Sequence, residues 1–184
     1  MIYPKQFRIY LTIFLSAAFC VSSASVLAQT AEEYHEKGMA EYNEINYGAA
    51  MSNFRKAADM GHAPSQTMLG TLLDAAEYNE EARDWFKRAA DQGNTDSQLG
   101  LARMLAIGDG GEIDFPGALK LYTAAAEQGS LEAMRVLETN YRKGGFGVEA
   151  DSERADFWLE KAAAGGDRWS KEQLAARRAS DEDS

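Results

Sequence analysis

Apolar residues recur along this chain at steps of three and four, and small and large side chains alternate among them in a fixed order. Alanine, a large residue and a second alanine stand at Ala50, Phe54 and Ala57, and again at Ala82, Phe86 and Ala89. The order returns at Ala118, Tyr122 and Ala125, and at Ala155, Leu159 and Ala162. Steps of four and three put all three side chains on one face of a helix. The small residues admit a neighbouring helix closely, and the large one fills the space beside them. Each helix runs into a glycine, at Gly61, Gly93, Gly129 and Gly166, spaced 32, 36 and 37 residues apart. Glycine takes the left-handed conformation that commonly ends a helix. The pattern predicts four second helices of helical hairpins.

Between them lie the first helices, marked by Leu69, Leu72 and Leu73, by Leu101, Met104 and Leu105, and by Leu137 and Tyr141. Gly38 and Gly70 each stand twelve residues before the first packing alanine. Their shared offset predicts a helix contact too tight for a side chain. In the third and fourth repeats the connecting loops lengthen to Gly108–Asp114 and Gly144–Asp151. Asp114 and Asp151 are the expected N-caps there, with Pro116 tolerated in the first turn. From Asp167 to Arg178 the chain starts another first helix without its second, bearing Trp169, Leu174 and Ala175. An open-ended repeat array needs such a cap over its last apolar face.

These residues resemble a known family. The Gly38, Ala50, Phe54, Ala57 and Gly70, Ala82, Phe86, Ala89 sets look like tetratricopeptide repeats. Trp85–Gly93, and Gly145–Val148 followed by Asp151, are similar to the related Sel-one-like repeats. Asn53 stands where the first repeat usually has tryptophan, the second repeat lacks the glycine-rich loop, and Leu159 replaces the ring in the fourth. The resemblance implies an all-α, right-handed α-solenoid of about four hairpins with a C-terminal capping helix, spanning residues 29–178.

Other features narrow the setting. Lys5 and Arg8 precede an apolar run from Ile9 to Val21, and the small-residue pattern Val26-Leu27-Ala28 follows. This is the layout of a secretory signal peptide over residues 1–28, with a run too short for the roughly 20 residues that span a bilayer. Its removal takes two bases and no acid, moving the net charge from −10 to −12. Such an acidic protein is a poor partner for nucleic acid or an anionic membrane. Cys20, the chain's one cysteine, leaves with the signal segment, so thiol chemistry and disulfides are not expected. The tail 179–184 is short and acidic and reads as disordered.

No enzyme, metal site or cofactor is expected. His35 and His62 are the only histidines and read as separate surface residues, without the second histidine that a zinc helix needs. Asp109, Glu112 and Asp114 share a glycine-rich loop, but their spacing does not match a helix-loop-helix calcium loop. The resemblance implies instead that the first helices line a concave wall and bind a peptide or partner protein in the bacterial envelope. Arg135, Thr139 and Arg142 fall on one face of the fourth first helix, and Arg103 takes the corresponding place in the third. With Trp169 as an aromatic anchor, they form a candidate site for an acidic segment, because guanidinium binds carboxylate bidentately. In the competing reading these arginines pair locally with Glu132, Glu138 and Asp96. His35, Met39, Tyr42, Thr67, Thr71 and Asp74 continue the wall in the first two repeats. The functional alternative is a cell-wall or beta-lactam-related ligand binder or hydrolase, implied by a cysteine-rich branch whose cysteines this chain lacks.

Overall fold

The computed structural model describes residues 30–182, the side chains of 178 and 180–182 excepted. The signal segment expected at 1–28 lies outside the described residues. Among the described residues there are nine helices and no strand. They are α1 (30–43), α2 (Tyr47–Asp59), α3 (Ala63–Ala75), α4 (Asn79–Asp91), α5 (Thr95–Ile107), α6 (Phe115–Glu127), α7 (Leu131–Lys143), α8 (Ser152–Ala164) and α9 (Arg168–Glu182). The fold is an all-α solenoid of helical hairpins, α1–α2 through α7–α8, with α9 as the unpaired last helix. The chain divides into two compact units, residues 1–65 and 66–184, with the boundary inside α3. Repeat arrays part readily at such points, since each hairpin packs only on its neighbours.

In the first unit Ala50, Phe54 and Ala57 of α2 are fully buried. A Cβ built on Gly38 of α1 would stand 2.6 Å from two carbons of the Phe54 ring. The close approach expected from the glycine spacing is therefore the Phe54 ring packed against bare backbone. In the second unit the Phe86 ring serves two first helices at once. A Cβ on Gly70 of α3 would come within 3.1 Å of it, and one on Gly100 of α5 within 3.0 Å. The four hairpin-ending glycines have φ of 86, 85, 95 and 103°, the left-handed region that favours glycine.

The two long loops fold back onto the helices they join. The Asp114 N–H donates to Leu105 O at 2.8 Å and the Asp151 N–H to Tyr141 O at 2.7 Å. Both aspartates cap as expected, accepting from Gly117 N–H at 2.9 Å and Arg154 N–H at 3.0 Å. Phe146, from the loop before α8, stacks on Phe115 and Tyr122 of α6 with centroid separations of 5.6 and 5.9 Å. The glycine-rich loop thus has an aromatic plug.

At the C-terminus α9 continues to Glu182, into the segment whose composition suggested a disordered tail. Extending an existing helix adds a hydrogen bond per residue without a new nucleation cost, and Ala175 to Arg178 are good helix formers. Among the described side chains of α9 Ser170 is fully buried, whereas Trp169 and Ala175 are exposed.

Two hairpins share a polar link in which a buried glutamine meets an exposed one. Gln128, at the end of α6, donates through Nε2 to Gln98 Oε1 on α5 at 2.8 Å. Gln92, at the end of α4, donates likewise to Gln66 on α3 at 2.7 Å. At the corresponding positions of α7–α8 stand Met134 and Gly165, so both partners are missing together. A buried amide without a partner is costly, which explains why the two positions change as a pair. Gln98→Leu or Gln128→Leu alone is expected to destabilise the protein by about 1 kcal/mol, and the double variant by less than the sum. Urea unfolding of the three variants measures this, and strict additivity would contradict the pairing.

Candidate functional site: the face of the first helices

Successive first helices are joined by polar contacts that recur in register. Thr67 Oγ1 of α3 lies 2.7 Å from Ser97 Oγ of α5. In the first unit the same two positions are filled by His35 of α1 and Ser65 of α3, with His35 Nδ1 2.9 Å from Ser65 Oγ. One repeat further on the positions hold Leu99 and Ala133, both apolar, and in the last they hold Arg135 and Ser170. Asp167 accepts from the Ser170 hydroxyl at 2.7 Å and its N–H at 2.8 Å, and stands 3.9 Å from Arg135. The Ser170 hydroxyl bond, with help from Ser170 N–H, Arg135 and Lys171, holds the Asp167 carboxyl below the usual range despite burial.

The structure separates the proposed site residues. Arg103 donates to Asp74 Oδ2 of α3 at 3.0 Å, and its side chain is still 56% exposed. Among the described residues Arg135 has the one long contact, to Asp167, and it is 49% exposed. Arg142 is the most committed, donating to Glu138 and to Asp156 of α8 at 2.7 Å each, and is 31% exposed. Thr139 is exposed, and its hydroxyl is 3.2 Å from Glu138 Oε2. Trp169 lies exposed in the first turn of α9, two residues beyond the Asp167 that faces Arg135. The local-pairing reading named Glu138 correctly for Arg142. Arg103 and Arg135, however, face Asp74 and Asp167, not Asp96 or Glu132.

The Arg142 pairs belong to a four-residue network. Arg177 of α9 also reaches Asp156 and approaches Glu138 Oε1 at 3.5 Å. Glu138 is buried, in the position that holds Gly70 and Ala102 in earlier repeats. A buried carboxylate persists only where it is paired, and here two guanidiniums supply the compensation. Asp156 is held below the ordinary carboxylate range, foremost by its hydrogen bond from Arg142 and against the opposing effect of burial.

The histidines are not separate surface residues. The α2–α3 turn brings His62 to His35, with ring centroids 4.8 Å apart in an edge arrangement. Both Nδ1 atoms contact Ser65 Oγ, at 2.9 Å from His35 and 2.8 Å from His62. Glu32 lies 3.2 Å from His62 Nε2. A single hydroxyl has one proton to donate, so at most one imidazole accepts from Ser65 and at least one donates to it. Residues 27 positions apart, with no shared motif, gave no sequence signal for this contact. Ser65 is fully buried, which leaves no path for a substrate to its hydroxyl.

The acids of the 108–114 loop turn to separate tasks. Asp109 accepts from Asn79 Nδ2, and Asp114 caps α6. No group of three or more His, Cys, Asp or Glu poised to hold a metal occurs among the described residues. No helix among them is long and apolar enough to cross a membrane.

The repeat geometry has direct relatives. The family model of the Sel1 repeat matches residues 25–62, 76–94, 95–130 and 140–167. The chain belongs to the Sel1 repeat family. A solved Sel1 repeat protein from Oxalobacter formigenes is 28% identical with a TM-score of 0.64, over 74% of this chain and 58% of that one. A protective antigen present in uropathogenic Escherichia coli strains, displaying an SLR fold, is 30% identical with a TM-score of 0.72, over 83% of this chain and 34% of that one. This chain thus spans between about a third and three fifths of the length of these two relatives. MamA shares the fold at 14% identity and a TM-score of 0.55, over 96% of this chain and 99% of its own. A search among curated proteins returns no match. Sel1 repeats are protein–protein interaction scaffolds and generally a non-catalytic fold.

Burial and the adjacent His62 lower the His35 pKa below 6.5, opposed by Glu32 and Glu36. The unfolded chain therefore takes up this proton first as pH falls. The contribution is present above pH 6.5 and is lost as pH drops through the folded value, so α1 is expected to loosen in that window. Amide exchange of α1 across a pH series checks this, with His35→Gln expected to flatten the slope. An unchanged slope in that variant would contradict it.

Proposed function

We propose that this Sel1 repeat protein is an exported scaffold of the bacterial envelope that holds a partner protein or peptide on the face of its later first helices. The observation that carries the reading is the state of Arg103 and Arg135. Both guanidiniums are about half exposed while paired with a single acid each, one of them at 3.9 Å. Exposed pairs of this kind contribute about 0.2 to 1 kcal/mol, so a carboxylate on a partner competes with them readily. Thr139 and Trp169 add a hydroxyl and an exposed ring on the neighbouring turns, suited to a peptide backbone and an apolar side chain. Arg142 has the different task of holding α8 and α9 to α7, since two acids already occupy it. The partner chemistry that fits is an acidic segment or a chain-terminal carboxylate. Export rests on the signal-peptide layout of residues 1–28.

In-cell cross-linking followed by affinity purification tests the binding face. Arg103→Glu with Arg135→Glu is expected to lose partners that the unaltered protein retains, with thermal unfolding little changed. An identical set of cross-linked partners would sink the proposal. Cell fractionation with N-terminal sequencing tests export separately, and the expected result is a periplasmic or secreted protein beginning at Gln29.

A further inference from the structure

Exposed apolar side chains are ordinary when scattered, but here several share one edge of the second unit. Tyr78 is 63% exposed, Ile107 64%, Ile113 56% and Phe115 37%. All four lie on the α3–α4 turn or around the α5–α6 loop, and those two stretches are locked together. Asn79 Nδ2 donates to Asp109, and Arg83 Nη1 donates to Glu112 O at 3.2 Å. Gly110, at φ 67°, lies so close to α4 that a Cβ would collide with the Asn79 carbonyl. Between the two stretches opens a cavity of about 620 Å3, lined by Glu77 to Glu81 and by Gly110 and Gly111. Glu77, Glu80, Glu81 and Tyr78 belong to this lining, and the Arg83 guanidinium lies against Gly111 at its edge. Among the described residues Glu77 and Glu80 make no ion pair, and Asp109 and Glu112 add negative charge on the loop side.

We infer that this edge is a second interaction surface, fitted to a partner segment that carries lysine or arginine beside bulky apolar side chains. It goes beyond the arginine-bearing face, which selects the opposite charge. The carboxylates around the cavity attract and orient the basic groups, while Tyr78 offers a ring face to a cation or an apolar chain. Ile107 and Ile113 supply the apolar contact, and the braced loop keeps it in place without an ordering cost on binding. A scaffold with two surfaces of opposite selectivity joins two different partners.

The test uses the full chain and two fluorescein-labelled peptides, one alternating lysine with leucine and one alternating glutamate with leucine, read by fluorescence anisotropy. The basic peptide is expected to bind, and the acidic one to fail in the Arg103→Glu, Arg135→Glu protein, which lacks the arginine face. Glu77→Lys with Glu80→Lys, and separately Tyr78→Ser, should each weaken the basic peptide about tenfold. Because the whole protein is acidic, Glu149→Lys with Glu160→Lys serves as a charge-matched control away from this edge and should have little effect. Equal weakening by the control, or indifference to Tyr78→Ser, would overturn the inference by reducing binding to net charge. Arg103→Glu with Arg135→Glu should leave this binding intact, so failure here and failure of the arginine face are separable outcomes.

Discussion

Everything in the array hangs on one steric arrangement, a large side chain pressed between residues with little or no side chain. Phe86 shows it most fully, with Gly70 on one first helix and Gly100 on the next against the same ring. Close approach of this kind excludes water from both helices, and dispersion between ring and backbone replaces what bulkier side chains would supply elsewhere. It also dictates where the rest of the chain can vary. Alanines flank the large residue because anything longer would push the helices apart, and polar groups gather where helices separate enough to admit them.

That division explains the chemistry of the surfaces. Between first helices the contacts are hydroxyls, imidazoles and ion pairs: Thr67 to Ser97, His35 to Ser65, Arg103 to Asp74. Some of these are complete, as in the Glu138 and Asp156 network with Arg142 and Arg177. Others leave one partner half in solvent, as at Arg103 and Arg135. The opposite chemistry appears at the loop edge, where apolar side chains are exposed among carboxylates. A protein with acidic net charge therefore carries local surfaces of unlike charge, which net charge alone does not disclose.

The hairpins were legible because their signal is local and repeated. Ala-x-x-x-Phe-x-x-Ala needs only helical geometry to be read as one face, and four copies in register exclude coincidence. The glycines at hairpin ends, the caps at Asp114 and Asp151, and the tight position at Gly38 follow from the same short-range rules. The partners of individual charges did not. Arg103 and Arg135 each had acids nearby in sequence, yet their partners came from Asp74 and Asp167, because the order in which hairpins stack decides which acid lies across the groove. The histidine pair was missed for the same reason: α1 and the α2–α3 turn meet only once the first hairpin has closed.

The amino-acid sequence by itself thus determined the helices, their hairpin ends, the family and the places where loops lengthen, since each of these depends on residues within a turn or two of one another. Tertiary structure alone decided which arginines stay available and which are spent. It also seated Glu138 among two guanidiniums, placed one buried serine between two imidazoles, and folded a glycine-rich loop onto the start of α4. Each of those outcomes needs at least one contact between residues 30 or more positions apart, and side-chain spacing along a helix carries no information about what packs against it from the next repeat.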